Sequence, residues 1–302
     1  MRRFYFLEME DIMRFSNKIL VFMSFIFPFF LFVSCKGNMN ADLKQNLDIR
    51  IVSLAPSNTE ILVGLNLGNN IVGIDQYSKG INGLNENIQV FEIGDPNIEA
   101  ILKLNPTHLI LSGYTSELSR YAELEKSGVK VVNIDTPISI QEIYDFIKLI
   151  GKSFNKDDES DEMIKSLKSD IESITKDNKN DKVSVYFEIS KAPYLYSFGR
   201  DTYLNEIIEL SGGENIFKDL EGWISPNEES IIKKNPQIIF TNVNEEGNIY
   251  EIKNRAGWEN IDAVKNNRIY YIDKDMSSRA SQFFIGALKE IAGHIKEYIN
   301  EK

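Results

Sequence analysis

The sequence predicts an α/β protein of two related lobes, and three observations carry that expectation. Pro96-Asn97-Ile98-Glu99-Ala100-Ile101-Leu102-Lys103-Leu104-Asn105-Pro106 returns 130 residues later as Pro226-Asn227-Glu228-Glu229-Ser230-Ile231-Ile232-Lys233-Lys234-Asn235-Pro236, identical at seven of eleven positions. Each copy runs into an apolar stretch, His108-Leu109-Ile110-Leu111 or Ile238-Ile239-Phe240, so the repeated unit is a short helix, a proline stop and a buried strand. Short apolar runs alternate with helical patterns on both sides, which argues for parallel sheets wrapped by helices. Between them, residues 139–178 read as one helical stretch after another. A single duplicated unit is far short of a solenoid; two related halves facing each other make a cleft for a ligand.

Taken in order, Arg50-Ile51-Val52-Ser53-Leu54 is a buried-strand pattern ended by Ala55-Pro56-Ser57-Asn58. Residues 59–65 have helical spacing, Gly68-Asn69-Asn70 turns the chain, and 71–74 is a strand. After the repeat helix come a strand at 109–111, a helix at 116–127, a turn at Gly128 and a strand at 129–134. In the helical stretch, Asn155-Lys156-Asp157-Asp158-Glu159 interrupts. Met163, Ile164, Leu167, Ile171 and Ile174 then recur at three- and four-residue spacing, as on an amphipathic helix. We expect a bridging helix at 156–180, between an N-terminal lobe at 49–155 and a C-terminal lobe at 181–302. Val183-Ser184-Val185-Tyr186-Phe187 reopens the alternation, which runs to a last helix at 282–299. The halves correspond a second time: Thr59-Glu60-Ile61-Leu62 before Gly68-Asn69-Asn70-Ile71 is similar to Asn205-Glu206-Ile207-Ile208 before Gly213-Glu214-Asn215-Ile216.

Residues 19–33 are almost purely apolar but short and broken by Pro28, with Arg14 and Lys18 just ahead, which reads as a secretory signal and not a membrane span. The run ends at Cys35, the only cysteine of the chain. A lone thiol cannot form an internal disulfide, and the arrangement resembles a bacterial lipoprotein box in which Cys35 is lipidated and becomes the mature N-terminus. Glu8, Glu10 and Asp11 suit a signal poorly, so Met13 is the expected start. Residues 36–48 read as a flexible tether. The 302-residue chain is 42% hydrophobic, enough for two cores. Its net charge of −11 disfavours nucleic acid and anionic lipid surfaces as partners.

No nucleotide-binding or catalytic constellation is present. Gly64, Gly68 and Gly73 do not make a dinucleotide fingerprint. The two histidines, His108 in an apolar strand and His294 in the last helix, read as structural, so no catalytic residue, resident metal or cofactor is expected. Instead Tyr77, Tyr194, Tyr196, Trp223 and Arg279 fall near element junctions, where planar side chains suit a large, partly apolar ligand. Glu99 and Glu229 sit in the first turns of the repeat helices. With Asp95 or Ser225 as N-cap and Pro96 or Pro226 at N1, each carboxylate gains about 0.3–1 kcal/mol from the helix dipole. Ser225-Pro226-Asn227-Glu228 reads as a capping box, which leaves Glu229 unneeded for capping.

The motif at 50–60, the paired helices with their Asn-Pro stops, Gly212-Gly213-Glu214-Asn215-Ile216-Phe217-Lys218-Asp219 and Gly257-Trp258-Glu259-Asn260-Ile261 together resemble the periplasmic binding proteins for cobalamin, ferric siderophores and haem. The resemblance implies two Rossmann-like lobes with parallel central sheets, one long bridging helix, a ligand cleft between the lobes, and a monomeric receptor that delivers a metal chelate to an ABC importer. It also implies that Glu99 and Glu229 dock on arginines of the two permease subunits. The likeness is nearest to the cobalamin-binding branch, which implies ligand contacts at Tyr77, Tyr196, Trp223 and Arg279, with Ser57 and Asn58 in the opening motif. Ser112 stands where that branch has a pocket tryptophan. The tyrosine of the haem branch is replaced around Gly94-Asp95. Two other readings are a surface lipoprotein with a macromolecular partner and a chelatase-like enzyme on the same scaffold.

Overall fold

The computed structural model describes residues 49–113, 118–176, 178 and 182–302; the signal, Cys35 and the tether lie outside the described residues. The first sheet holds β1 (Ile51–Ser53), β2 (Ile71–Asp75), β3 (Gln89–Phe91), β4 (His108–Ser112) and β5 (Lys130–Ile134) in the order β3-β2-β1-β4-β5. All its pairings are parallel. Ile51, Val52 and Leu109 to Leu111 are fully buried, as strands covered on both faces must be. The second sheet holds β6 (Val183–Glu188), β8 (Gly213–Asn215), β10 (Ile238–Thr241) and β11 (Ile269–Tyr271) in the order β11-β10-β6-β8, again all parallel. A small antiparallel ribbon joins β7 (Ser197–Phe198) to β9 (Trp223–Ile224).

Helices α1 (Pro56–Gly64), α2 (Ile98–Lys103) and α3 (Ala122–Lys126) belong to the first lobe. The helix expected at 116–127 is shorter: a 3-10 turn, Leu118–Tyr121, leads into α3 at Ala122–Lys126, and residues 114–117 lie outside the described residues. Helices α4 (Ile140–Ser153) and α5 (Asp157–Thr175) follow. The second lobe carries α6 (Tyr203–Leu210), α7 (Glu228–Lys234), α8 (Asn248–Lys253), α9 (Asp262–Lys265), α10 (Lys274–Ser278) and α11 (Phe284–Glu301).

The repeat is reproduced down to its backbone angles, with one correction to the expected caps. Neither Asp95 nor Ser225 caps its helix. Asn97 Oδ1 accepts from Ala100 N at 2.9 Å, and Asn227 Oδ1 accepts from Ser230 N at 2.8 Å. The helices therefore start one residue after each asparagine, with Glu99 and Glu229 second in their turns. Asparagine caps as well as serine or aspartate, and its amide oxygen reaches the third helical N–H. The proposed capping box is absent, because Glu228 Oε2 accepts from the indole Nε1 of Trp258 at 3.0 Å. Asn105 and Asn235 close the two units in the left-handed region, at φ 46° and 47°.

The crossing between the sheets is made by α4 and α5. Ser139 Oγ caps α4 by accepting from Glu142 N at 3.1 Å. Asn155, at φ 55°, breaks the chain, and Asp157, Asp158 and Glu159, read in the sequence as the interruption, form the first turn of α5. Carboxylates there oppose the helix dipole favourably. The two helices approach closely at Gly151, where a Cβ would stand 2.6 Å from Ser160 Oγ. Helix α5 packs on α4, just before it in the chain, and on α11, the last helix of the second lobe.

Behind β6 lies a buried ionic cluster. Arg255 Nη1 and Nη2 donate to Glu188 at 2.8 and 3.2 Å, Arg255 Nε donates to Glu251 at 2.9 Å, and the guanidinium lies 4.2 Å from the Trp258 ring centre. Burial pushes the Glu188 carboxyl above its usual range, while the Arg255 bonds hold it down. Removing one partner of such a pair leaves a buried charge without its complement. Arg255→Met is expected to cost about 3–5 kcal/mol in urea unfolding, and Glu188→Leu/Arg255→Met to recover most of it.

Candidate functional site

Parallel strands all deliver their loops to one edge of a sheet, and both sheets present that edge to one cavity of about 310 Å³. From the first lobe, Ser57 follows β1, Ser112 ends β4, and Thr136 and Pro137 follow β5. From the second, Ile189 follows β6, Asn242 follows β10, Ser277, Ser278 and Ala280 come after β11, and Tyr203 and Leu204 open α6. Tyr196 and Trp223 come from the ribbon. Their rings are stacked, 6.1 Å between centres and 10° apart in plane, with Phe198 nearly perpendicular to Trp223 at 6.1 Å between centres. They remain 37% and 45% exposed, large apolar surfaces held open to solvent at the cleft. The ribbon depends on Gly199, where a Cβ would stand 2.1 Å from the Leu220 carbonyl oxygen.

The lining is largely apolar, with hydroxyls and one amide but no charged side chain. Asn242 Nδ2 donates to Ser277 Oγ at 3.0 Å and Ser278 Oγ at 3.1 Å, which fixes the two serines. Tyr203 OH donates to the Ser277 carbonyl at 2.8 Å, and burial pushes its phenol well up. Helix α1 is braced from behind: Thr59 Oγ1 lies 2.8 Å from Ser53 Oγ and 3.1 Å from Ser78 Oγ, and the Ser78 hydroxyl donates to Asp75. Burial raises the Asp75 carboxyl above its ordinary range.

Of the residues expected at the ligand, Ser57, Tyr196 and Trp223 are brought together. Three others lie elsewhere. Asn58 is fully buried, and its amide has no hydrogen-bond partner among the described residues. Tyr77 is 62% exposed, and its ring is not part of the cavity wall. Arg279 spans the lobes: Nη1 donates to Glu60 Oε1 at 2.5 Å, and Nη2 reaches the Tyr77 carbonyl at 3.2 Å and Asp275 at 2.8 Å. Ser281 Oγ donates to the other Glu60 oxygen at 2.5 Å. This bolt forms a wall of a second cavity, about 340 Å³, lined also by Lys79, Met276 and Phe283. Glu99 and Glu229 are exposed, and among the described residues neither carboxylate is engaged in a hydrogen bond or ion pair.

Sequence reading missed Thr136, Tyr203, Asn242 and the two serines, since nothing distinguishes a lining hydroxyl from one in any loop. Glu60 was visible in the second stretch of internal likeness. His108 packs on Phe154 at 4.7 Å and His294 stacks on Tyr270 at 3.9 Å between ring centres, both away from the cleft.

The family described as "Periplasmic binding protein" matches residues 51–276. The chain is 32% identical over 257 residues to an uncharacterized ABC transporter substrate-binding lipoprotein, YvrC, of Bacillus subtilis, covering 82% of this chain and 79% of that protein. It is 24% identical to the vitamin B12-binding protein of Vibrio campbellii, covering 82% and 89%. A crystal structure of a possible iron-binding, periplasmic solute-binding protein from Staphylococcus epidermidis superposes with a TM-score of 0.72 at 33% identity, covering 82% and 98%. Such relatives are transporter receptors and not enzymes. With two parallel-sheet lobes around one uncharged cleft, the chain belongs to the periplasmic binding protein family, as an ABC transporter substrate-binding protein.

Proposed function

We propose that this protein captures an uncharged, coordinatively saturated metal chelate, a cobalamin or a neutral ferric siderophore, and hands it unchanged to an ABC permease. The absence of charged side chains among the described residues lining the cleft carries this reading. An anionic chelate entering such a site would lose water without gaining a cation. Haem iron is held by an axial protein ligand such as histidine, cysteine, methionine or tyrosine. Of these the lining offers only Tyr203, already bonded to a backbone carbonyl, and Tyr196, stacked on Trp223. A cobalamin brings its own metal ligands and a rim of amides, which match serine, threonine and asparagine, and its broad corrin suits the exposed ring pair.

The test uses cyanocobalamin, a neutral ferric trihydroxamate, an anionic ferric tris-catecholate, haemin and free Fe³⁺. Cyanocobalamin or the trihydroxamate should quench tryptophan emission strongly, because both absorb where tryptophan emits. Trp258 is buried in the second lobe's core and serves as the reference, so Trp223→Phe should abolish most of the quenching and weaken binding. Tight binding of haemin or free iron, with the neutral chelates inert, would overturn the assignment.

Docking through Glu99 and Glu229 is part of the same proposal, supported by their matching helix positions and free carboxylates. Reversing both to lysine should leave chelate affinity unchanged while abolishing stimulation of the transporter ATPase, since like charges across an interface cost several kcal/mol. A purely helix-stabilising role predicts instead a loss of roughly 1–2 kcal/mol of stability for the pair and normal stimulation by the folded protein.

Cys35 is proposed as the lipid-bearing residue, and no helix among the described residues is long and apolar enough to cross a membrane. Cys35→Ala should move the protein out of the membrane fraction. Normal membrane recovery of that variant would rule out lipid anchoring.

A further inference from the structure

The second stretch of internal likeness places a glutamate at the corresponding point of each lobe, Glu60 in Thr59-Glu60-Ile61-Leu62 and Glu206 in Asn205-Glu206-Ile207-Ile208. Both reach out of their own lobe. Glu60, on α1, accepts from Arg279 and Ser281 beyond α10, and its carbonyl accepts from Gln282 Nε2 at 2.8 Å. Glu206, on α6, accepts at Oε2 from Ile140 N at 2.8 Å. Ile140 is the first residue of α4, so its N–H is one of the donors a helix leaves unpaired.

The two helices are organised alike. Ser57 lies three residues before Glu60 and Tyr203 three before Glu206, and residues so spaced share a helix face. Each helix therefore offers one residue to the cleft and, one turn on along the same face, a carboxylate that bonds a segment outside its own lobe. The receiving segments do the same: Ser278 and Ala280 line the cleft around Arg279, and Thr136 and Pro137 line it just before Ile140. Neither glutamate lines the cleft itself.

We propose that Glu60 and Glu206 are paired positioning residues, one on each flank of the cleft, that fix the lobe-to-lobe geometry in which the ligand is held. The assignment of the cleft as the ligand site is taken from the functional reading above. Net stability does not account for the arrangement at Glu60. A buried ion pair roughly breaks even against apolar packing, and desolvation raises the Glu60 carboxyl above its ordinary range despite Ser281 and Arg279. What the bonds supply is direction: bidentate acceptance fixes angle as well as distance.

The test compares Glu60→Ala, Glu60→Gln, Glu206→Ala and Glu206→Gln in the full chain. Cyanocobalamin dissociation is followed by Trp223 emission, and hydrogen exchange is read by mass spectrometry. Each alanine variant should speed dissociation about tenfold or more. Glu206→Gln, whose amide oxygen still accepts from Ile140 N, should stay within about threefold of the parent, whereas Glu60→Gln, which removes the counter-charge of Arg279 and one of the two acceptors, should behave like the alanine variant. Exchange should quicken across the cleft from each change: at 281–284 in Glu206→Ala, and at Ile140 in Glu60→Ala. A local bond would not produce that cross-flank effect. Unchanged dissociation in folded alanine variants, with lowered melting temperature alone, overturns the proposal. Should the parent protein bind no chelate, the ligand reading fails separately. The cross-flank exchange then decides the positioning role, and its absence in both alanine variants refutes it.

Discussion

The shared direction of the strands within each sheet is the constraint on which the site depends. A parallel strand cannot turn back by a hairpin, so each must leave over a helix and return at the far end. Loops of one kind accumulate at one edge. In this chain that edge carries Ser57, Ser112 and Thr136 on one side, and Ile189, Asn242 and the serines beyond β11 on the other. None of these residues is special by type. They form a surface because the sheets put them in one place.

Charge is kept close to this surface and out of it. Glu188 ends β6 immediately before Ile189 of the lining, yet its carboxylate is turned to Arg255, which also gathers Glu251 under the Trp258 ring. Glu60 sits one turn beyond Ser57 and is matched by Arg279. In both cases a carboxylate near the cleft is neutralised by a guanidinium, whose planar fork suits a buried carboxylate better than an ammonium. What the cleft presents is hydroxyls, one amide and two rings on an apolar surface.

Legibility in the sequence followed the length of the signal. The repeat at 96–106 and 226–236 spans a whole unit, and it gave the lobes, the parallel sheets and the matched glutamates. The caps were misassigned because Asp95 and Asn97, like Ser225 and Asn227, are each good caps, and only geometry chooses between them. The same limit applies to Arg279. A cation ahead of the last helix reads as a ligand contact, and its partner in the structure, Glu60, lies 219 residues away in the chain. Tyr196 and Trp223 were legible as planar side chains at element junctions, whereas their stacking rests on the register of a two-residue ribbon that no periodicity announces.

The asparagines that close the two repeat units bear on the chemical ageing of the chain. Asn105 and Asn235 occupy left-handed backbone, which asparagine tolerates better than other side-chain-bearing residues. Asparagine is also the residue most prone to deamidate, by attack of the following backbone nitrogen on its side-chain carbonyl. Here the next residue is Pro106 or Pro236, whose nitrogen carries no hydrogen. The ring closure that begins deamidation is thereby blocked at both stops, and the two turns that set the repeat helices against their strands keep their amides as the protein ages.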